Sequence, residues 1–444
     1  MKDGNGKVTR RKFLQGTMAA SAAVAGLPYI VSSSVFGANA PSNRINLGCV
    51  GVGRMGLWDM KNFMGFDDMR VVAVCDVDSN RTEEAKKAVE AKYSKQTESG
   101  TYKGCSTYGD YRELVTRDDV DAVMVCTPDH WHILPAIAAA KAGKDIFLQK
   151  PLSLTIEEGR VLSDTVKRYG NIFMVGSQQR SDSRFRFACE LVRNGRIGKL
   201  HTVKVGFGTD PGTGIEPVMP IPENLDYDMW LGQAEWAEYT EKRVHPRKGY
   251  GRPGWLRIRD YGWGMITGWG AHHMDTAHWG MGTEYTGPLE IEGMGDFPKD
   301  GIWDVHGNFY IEYKYPDDVK LICSDTRRNK QGVVFEGSEG WVHVRRGAID
   351  ANPKSLLTSV IKPNELHLYK SSNHKGNFVE CIKSRTETVA PVEIGHRSCS
   401  ACILGGIAME LGRKLKWDVK KERFIDDAEA NRMRSRPMRS PWTL

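Results

Sequence analysis

The segment that most constrains the fold is a glycine-rich turn, Gly51-Val52-Gly53-Arg54-Met55-Gly56, between a buried strand at 44–50 and a helix-forming stretch. A second apolar strand at 69–75 ends at Asp76. The first glycine permits a tight turn, the second lets the backbone approach a pyrophosphate, and the third allows helix and strand to pack closely. Unpaired N–H groups at the helix N-terminus would then face the phosphates. The pattern predicts a parallel α/β dinucleotide-binding domain.

Asp76 predicts which dinucleotide is bound. It lies 25 residues after Gly51, where a carboxylate can accept hydrogen bonds from both ribose hydroxyls. A 2′-phosphate in the same place would be repelled by the negative charge. We therefore expect NAD rather than NADP.

Strands and helices continue to alternate as far as residue 176. In open parallel sheets, ligands bind outside the carboxyl ends of the strands, so polar residues at those ends should line one crevice. The expected cofactor contacts are Gly51, Gly53, Arg54, Met55, Gly56, Asp76, Thr127, Pro128, Asp129, His132, Gln149, Lys150 and Gln178.

The first 40 residues have the features of an export signal. Arg10-Arg11 precede a short Ala-rich apolar run, and Ala38-Asn39-Ala40 offers a small-x-small cleavage pattern. Adjacent arginines are typical of the twin-arginine signal, so we expect a soluble periplasmic protein, cleaved near Ala40 and without a membrane anchor. An amphipathic helix belonging to the fold is the less favoured alternative. This segment carries +4 of the formal +7, and the remaining +3 offers no basic field for nucleic acid.

The cysteines indicate free thiols. There are nine, an odd number, and several lie in apolar strand-like runs, which favours buried thiols over a disulfide framework. Cys399 and Cys402 have CxxC spacing, but a zinc site would need a second ligand pair and a redox pair would need a thioredoxin-like context. We therefore expect no metal and no redox pair at these positions.

Four motifs occur together and in order: the Gly51–Gly56 turn, Thr127-Pro128-x-x-x-His132, Lys150-Pro151 and Gly270-x-His272-x-x-Asp275. With them the chain resembles the glucose–fructose oxidoreductase / inositol dehydrogenase / MocA (Gfo/Idh/MocA) family over nearly all of residues 44–415. The family usually has Glu-Lys-Pro, whereas Gln149 precedes the lysine here. A neutral amide can hydrogen-bond but cannot hold the lysine by charge.

The resemblance implies an α/β fold, with an N-terminal Rossmann domain and a C-terminal α+β domain whose large open sheet is mostly antiparallel. One face of that sheet would pair copies into a homo-oligomer. The residue pattern agrees, because strands are expected at 201–208, 289–294, 305–313, 319–324, 333–336 and 341–344. We divide the chain into a signal peptide (1–40), the Rossmann domain (41–180), the α+β domain (181–415) and a C-terminal tail (416–444). We expect the basic part of the tail from Asn431 onward to form a surface arm, with contact to a partner as the less favoured alternative.

The second half contains the expected chemical centre. If 270–278 is helical, His272 and Asp275 share one face. The resemblance implies that His272 is the catalytic base and that Lys150 stabilises a developing oxyanion, although Gly268 stands where the family often has Asp. A metal site built from His272, Asp275 and His278 is the less favoured alternative.

Residues 226–280 hold six of the 12 tryptophans. Flat indole faces suit sugar rings, but tryptophan is often interior bulk, so we expect two or three of the six to face substrate. The expected substrate contacts are Arg180, Trp263, Trp269, His272 and Asp275.

The resemblance and the export signal together indicate a function. We expect a periplasmic NAD-dependent oxidoreductase that acts on a sugar or glycoside hydroxyl with tightly bound cofactor, because the periplasm has no free NAD pool to exchange with. The alternative is a redox-neutral, NAD-dependent glycoside hydrolase or lyase that oxidises, eliminates, adds water and re-reduces. A non-catalytic sugar-binding protein is disfavoured because both Lys150 and His272 are present.

Overall fold

A computed structural model describes the chain from residue 44 onward, apart from 210–211 and 246–253. The predicted export signal at 1–40 and its cleavage site lie outside the described residues. Within the described part, no helix is both long and apolar enough to cross a membrane.

Six parallel strands form the N-terminal sheet, in the order β3-β2-β1-β4-β5-β6. They are β1 (Ile45–Val50), β2 (Met69–Cys75), β3 (Ser106–Tyr108), β4 (Ala122–Val125), β5 (Asp145–Leu148) and β6 (Phe173–Val175). The connecting helices are α1 (Arg54–Phe63), α2 (Ser79–Lys92), α3 (Ser94–Glu98), α4 (Tyr111–Val115), α5 (Ile133–Lys141) and α6 (Ile156–Tyr169). Because helices cover both faces of the sheet, β4 is apolar and buried throughout, and β1 is buried except at Asn46.

The second domain is built on a nine-stranded sheet, in the order β13-β12-β11-β7-β10-β9-β8-β14-β15. Every neighbouring pair is antiparallel except β7 and β10. The strands are β7 (Leu200–Phe207), β8 (Glu290–Gly295), β9 (Phe309–Lys314), β10 (Lys320–Asp325), β11 (Gly332–Gly337), β12 (Gly340–Arg345), β13 (Ala348–Asn352), β14 (Leu415–Asp418) and β15 (Arg423–Phe424). The predicted fold class is confirmed.

Helices cover one region of this sheet and join it to the Rossmann domain. They are α7 (Ser183–Arg193), α8 (Tyr227–Leu231), α9 (Met265–Gly268), α10 (Gly270–Met281), α11 (His374–Ser384), α12 (Val392–Leu411) and α13 (Ala428–Arg432). Small residues let α12 approach closely: a Cβ at Gly405 would lie 2.0 Å from the Tyr313 hydroxyl, and one at Gly406 would lie 2.4 Å from the Trp263 ring. All nine cysteines are within the described residues, and none is paired.

The predicted tail at 416–444 is wrong as a separate segment. β14 crosses the expected boundary and pairs with β8, and the Trp417 and Phe424 rings pack edge to face 4.9 Å apart. Farther on, the Arg439 guanidinium donates to Asp228 and to the Gly232 carbonyl. Two buried aromatic side chains hold residues 415–424 on the sheet, so this part belongs to the domain. The Arg439 contacts hold the predicted arm after Asn431 against residues 228–232.

Candidate active site

A cavity of about 480 Å³ opens at the carboxyl ends of the parallel strands and is closed on its other side by the second domain. Thirteen of the expected site residues line it: Gly51, Gly53, Arg54, Met55, Asp76, Thr127, Pro128, Asp129, His132, Gln149, Lys150, Trp269 and His272. The expected residues outside the lining are Gly56, Gln178, Arg180, Trp263 and Asp275. The crevice inferred from strand ends is therefore present.

The glycine turn at one end of the cavity leaves room for a phosphate group. Gly51 has a φ of +78°, and a Cβ there would lie 2.6 Å from the Cys126 carbonyl oxygen. Gly53 caps α1 without a side-chain hydrogen bond, so the first N–H groups of the helix stay available. A Cβ on Gly56 would lie 1.9 Å from the Gly51 carbonyl oxygen, which explains its packing role. These residues fit the pyrophosphate of a dinucleotide.

Asp76 stands beside this turn and faces the cavity. Its carboxylate accepts hydrogen bonds from the backbone N–H groups of Val52 at 2.9 Å and Asp78 at 3.1 Å. Burial raises the pKa of Asp76, while the nearby Arg81 charge and these two hydrogen bonds oppose the shift. The acid therefore holds the turn in shape and presents an acceptor where a ribose would lie.

A segment of the second domain, residues 219–245, packs over the same end of the cavity. The Asn224 amide donates to Asp78 at 2.7 Å, and the Asp226 N–H donates to the Val77 carbonyl at 2.9 Å. His245 lies 3.0 Å from the other Asp78 oxygen and also lines the cavity. We call 219–245 the cover segment. It links the two domains directly beside the ribose position.

Lys150 lies at the opposite, reacting end. Its Nζ donates a 2.9 Å hydrogen bond to the Gly268 carbonyl oxygen, so the second domain fixes the ammonium group. The Gln149 amide donates instead to Asp59 at 2.7 Å, and Asp59 in turn pairs with the buried Lys375 at 2.6 Å. The Gln149 side chain thus joins this buried pair, and its other amide atom accepts a hydrogen bond from the Lys150 backbone N–H at 3.0 Å.

His272 lines the cavity from α10 and is 6% exposed. Among the described residues its Nδ1 atom has no hydrogen-bond partner. Burial holds the pKa of His272 well below its usual value, and the charges of Lys150 and Arg346 lower it further. The ring is therefore neutral near pH 7, and an imidazolium would form there only at a high energetic cost.

Asp275 and Arg180, expected to contact the substrate, lie outside the cavity lining and pair with each other. Arg180 makes two hydrogen bonds to Asp275, at 2.7 and 2.9 Å, and a third to Glu284. Ser398 donates to the same aspartate at 3.0 Å. Both members of the pair are buried, because α10 turns this face toward α12 and away from the cavity.

Three further residues singled out from the sequence, Trp263, His278 and Gln178, also lie outside the cavity lining. Trp263 is a core residue whose indole N–H donates to the Leu154 carbonyl at 2.8 Å. His278 shares a 2.6 Å hydrogen bond with the Tyr315 hydroxyl, so it does not converge with His272 and Asp275. Gln178 lies outside the cavity lining. Three of the six clustered tryptophans do line the cavity: Trp230, Trp255 and Trp269.

Some lining residues could not have been chosen from sequence. Arg346 lies in the turn between β12 and β13, and its guanidinium stacks 4.8 Å from the Trp269 ring centre at the rim of the cavity. His245, at the end of the cover segment, and Tyr111, at the start of α4, also line the cavity. None of these belongs to a periodic pattern or a motif, and Arg345-Arg346-Gly347 has the composition of an ordinary solvated turn.

Comparison with known families agrees with this architecture. Residues 45–177 match the Gfo/Idh/MocA model described as "Oxidoreductase family, NAD-binding Rossmann fold". Residues 207–444 match the one described as "Oxidoreductase family, C-terminal alpha/beta domain".

Two curated relatives carry different activities in their names. The chain is 30% identical to a myo-inositol 2-dehydrogenase of Thermotoga maritima over 195 residues, which cover 44% of this chain and 54% of that protein. It is also 30% identical to a glycosyl hydrolase family 109 protein of Shewanella pealeana over 210 residues, 44% of each. The chain spans about half the length of the curated relatives it matches.

Solved structures share the fold across most of the chain. The WlbA dehydrogenase of Bordetella pertussis, in complex with NADH and UDP-GlcNAcA, superposes with a TM-score of 0.61 at 16% identity, over 85% of this chain and 99% of that one. The aldose-aldose oxidoreductase of Caulobacter crescentus gives 0.60 at 18% identity, over 84% and 99%. The two family models and the glycine turn agree: the chain belongs to the Gfo/Idh/MocA oxidoreductase family and has its NAD-binding Rossmann domain.

Proposed function

We propose that this protein oxidises a hydroxyl group of a sugar or glycoside with NAD. The observation that carries the proposal is the position of Lys150, whose ammonium is fixed by the Gly268 carbonyl in the cavity that also contains the glycine turn. NAD, when bound, supplies the hydride acceptor. Lys150 stabilises the oxyanion that develops on the substrate oxygen, by charge and by hydrogen bonding in a site that excludes most water.

Carbohydrate is the substrate class that the lining supports best. Trp230, Trp255 and Trp269 offer flat apolar faces, while Lys150, Asp129 and His272 offer polar groups that can bind hydroxyls. The names of the two curated relatives, an inositol dehydrogenase and a glycosidase-family protein, point to polyhydroxylated substrates as well.

We further propose that NAD acts as a tightly held prosthetic group in a periplasmic enzyme. The twin-arginine pattern at residues 1–40 supports export, and the cover segment supports retention, because its contacts with Asp78 lie across the expected exit of the nucleotide. Retention through many turnovers requires a Kd well below micromolar, more than ~8 kcal/mol of binding. Each turnover must then restore NAD, by returning the hydride to the same substrate or to a second carbonyl compound.

A redox-neutral glycoside hydrolase or lyase is the second candidate. The match to a glycosyl hydrolase family 109 protein favours it, and so does the need to regenerate NAD outside the cytosol.

One experiment separates these candidates. The purified protein is incubated with a panel of inositols, sugars and glycosides without added NAD, and products are identified by mass spectrometry. Ketone products with a reduced second carbonyl compound would support the oxidoreductase, and free sugar released from a glycoside without net redox change would support the hydrolase. Turnover that requires millimolar NAD and releases equimolar NADH would contradict the prosthetic role.

We also propose that the open sheet face pairs copies of the chain. Met294 on β8 is 62% exposed on that sheet, and a second copy packed on this face would bury it. Light scattering after size exclusion measures the oligomeric state, and Met294→Glu should shift it toward monomer.

A further inference from the structure

Two positive charges are held at the reacting end of the cavity by consecutive residues of the second domain. The Lys150 ammonium group donates to the Gly268 carbonyl oxygen at 2.9 Å, and the Arg346 guanidinium lies 4.8 Å from the centre of the Trp269 ring. All four residues line the cavity. Because neighbouring Cα atoms are about 3.8 Å apart, the two cations stand at neighbouring points of the cavity wall. The charges of both also act on the His272 ring.

Acidic side chains do not pair with Arg346. Among the described residues that line the cavity, the acids are Asp76, at the glycine turn, and Asp129. The acid whose charge acts on Arg346 is Asp182, and that carboxylate forms its own ion pair with Arg184 at 3.1 Å. Within the described part of the chain, the Arg346 guanidinium forms no ion pair, so it keeps its full positive charge at the rim of the cavity.

The Trp269 ring is a fixed support for this guanidinium. Its plane lies at 24° to the His273 ring, with the ring centres 5.5 Å apart, and it meets the His272 ring edge to face at 5.8 Å. Both histidines are buried, so they hold the indole in place. A guanidinium stacked on an aromatic face keeps its N–H groups available at its edge. This planar fork matches two oxygens of a carboxylate, or of a sulfate or phosphate ester.

Another stacked arginine shows the arrangement that a purely structural role takes in this fold. Arg180 lies 5.0 Å from the Trp279 ring centre, and it also forms ion pairs with Asp275 and Glu284. That group lies outside the cavity lining, and its charges are balanced within the protein. Arg346 has the aromatic support without the acids, and it lines the cavity, which is the arrangement expected for binding an anion that enters from solution.

We propose that the substrate carries an oxyanion group that binds the Arg346 guanidinium while the reacting hydroxyl group binds Lys150; this rests on the proposed oxidation of a sugar or glycoside. The substrate class is thus an acidic sugar: a uronic acid or its glycoside, or a sugar sulfate or phosphate. Arg346 determines which sugars bind, and Lys150 acts on the hydroxyl group that is oxidised.

The test measures kcat and KM of the full-length protein, with NAD added, for matched neutral and acidic sugars. The pairs are methyl glucoside with methyl glucuronide, galactose with galacturonate, and glucose with its 6-phosphate and 6-sulfate. The kcat/KM of an acidic member should exceed that of its neutral partner by ~10-fold or more, the usual contribution of a hydrogen bond to a charged group. The carboxylate and ester members of the panel identify which oxyanion is bound.

Arg346→Gln and Arg345→Gln form a matched pair of variants, because Arg345 is the preceding residue, is exposed and lies outside the cavity lining. Arg346→Gln should lower the ratio of acidic to neutral kcat/KM by ~10-fold or more, with most of the loss in KM and little of it in kcat. Arg345→Gln should keep the wild-type ratio. Added salt should reduce the ratio in the wild-type protein and leave it unchanged in Arg346→Gln, because salt screens an exposed charge.

A binding measurement separates this inference from the proposed function. Methyl glucuronide and galacturonate are titrated by calorimetry into the NADH-loaded protein, in which the nicotinamide cannot accept a hydride. The dissociation constant should be ~10-fold or more higher in Arg346→Gln than in the wild type. Equal binding and equal use of acidic and neutral sugars would overturn the inference, as would an acidic preference that Arg346→Gln retains. A protein that binds acidic sugars through Arg346 and oxidises none of them would overturn the proposed function alone.

Discussion

The Lys150 ammonium group donates a 2.9 Å hydrogen bond to the Gly268 carbonyl oxygen, across 118 residues of sequence. The bond joins the end of a Rossmann strand to the short helix α9 of the second domain. The reacting group is thereby held by the domain that also forms the substrate side of the cavity. The position of the Lys150 ammonium group therefore depends on the contact between the two domains, and so does the catalytic role proposed for it.

Lys150→Met should lower kcat by ~10²-fold or more, because the developing oxyanion loses its charged partner. The methionine keeps the length of the side chain, so NAD binding should persist, and fluorescence titration with NAD provides that control. Lys375→Met is a matched comparison: it removes a buried lysine that pairs with Asp59 but lies outside the cavity lining. Near-normal turnover in Lys150→Met would contradict the role given to the lysine.

Asp76→Ser should weaken NAD binding and shift the preference toward NADP by ~10-fold or more. The substitution removes the acceptor for the ribose hydroxyls and the charge that repels a 2′-phosphate, while Arg81 remains nearby as a possible phosphate partner. Dissociation constants for both nucleotides give the ratio. An unchanged ratio would show that the specificity is set elsewhere.

Asp275→Ala should destabilise the protein by about 3–5 kcal/mol, the usual loss when one partner of a buried ion pair is removed. The change leaves the Arg180 guanidinium buried, with Glu284 as its remaining acid partner. The free energy of unfolding is measured by urea denaturation. Glu284→Gln is the matched control and should cost less, because that carboxylate is partly exposed. A loss of substrate affinity with unchanged stability would restore Asp275 as a substrate contact.

Asp129→Asn should stabilise the folded protein at neutral and higher pH. Since the pKa of Asp129 is about 7 in the folded state and about 4 in an unfolded chain, the wild-type protein loses stability as pH rises from about 4 to about 7. The asparagine variant lacks this loss. Its Tm should therefore exceed that of the wild type by a few degrees above pH 7, with a much smaller difference near pH 4. Equal differences at both ends would contradict the raised pKa.

His245→Ala should accelerate release of NAD by ~10-fold. His245 lies against both the cavity and Asp78, so its loss loosens the cover segment without touching the glycine turn. The rate is read from the fraction of bound nucleotide that survives repeated buffer exchange. His201→Ala, an exposed histidine on β7, is the control and should retain the wild-type fraction. If all three proteins retained the same fraction of nucleotide, the cover segment would not be what holds NAD in the cavity.

The sequence predicted those parts of the site that depend on residues close together in the chain. The Gly51–Gly56 turn and the residues at strand ends are of this kind, because each depends on neighbours in sequence. The helix that carries His272 and Asp275 was also predictable, but the different surroundings of the two side chains were not: His272 lines the cavity, whereas Asp275 pairs with Arg180. Arg180, which pairs with Asp275, comes from 95 residues away.

Other features depended on contacts that no periodic pattern records. β3 and β15 are too short to show alternation, and the short strand β14 was assigned to the tail. The neutral Gln149 was expected to leave Lys150 without a charged neighbour, and the structure shows that its amide instead serves Asp59.

The pairing of β8 with β14 has a consequence for how the chain reaches its native state. Leu415 lies opposite Ile291, so this edge of the sheet closes a loop of more than a hundred residues. Closing such a long loop costs conformational entropy before the strand contacts that offset it have formed. Chains with many long-range contacts therefore fold slowly. A chain that folds slowly is better protected from aggregation in the cytosol, where chaperones are present. If the proposed export route carries only folded protein, this edge of the sheet must close before the chain leaves the cytosol.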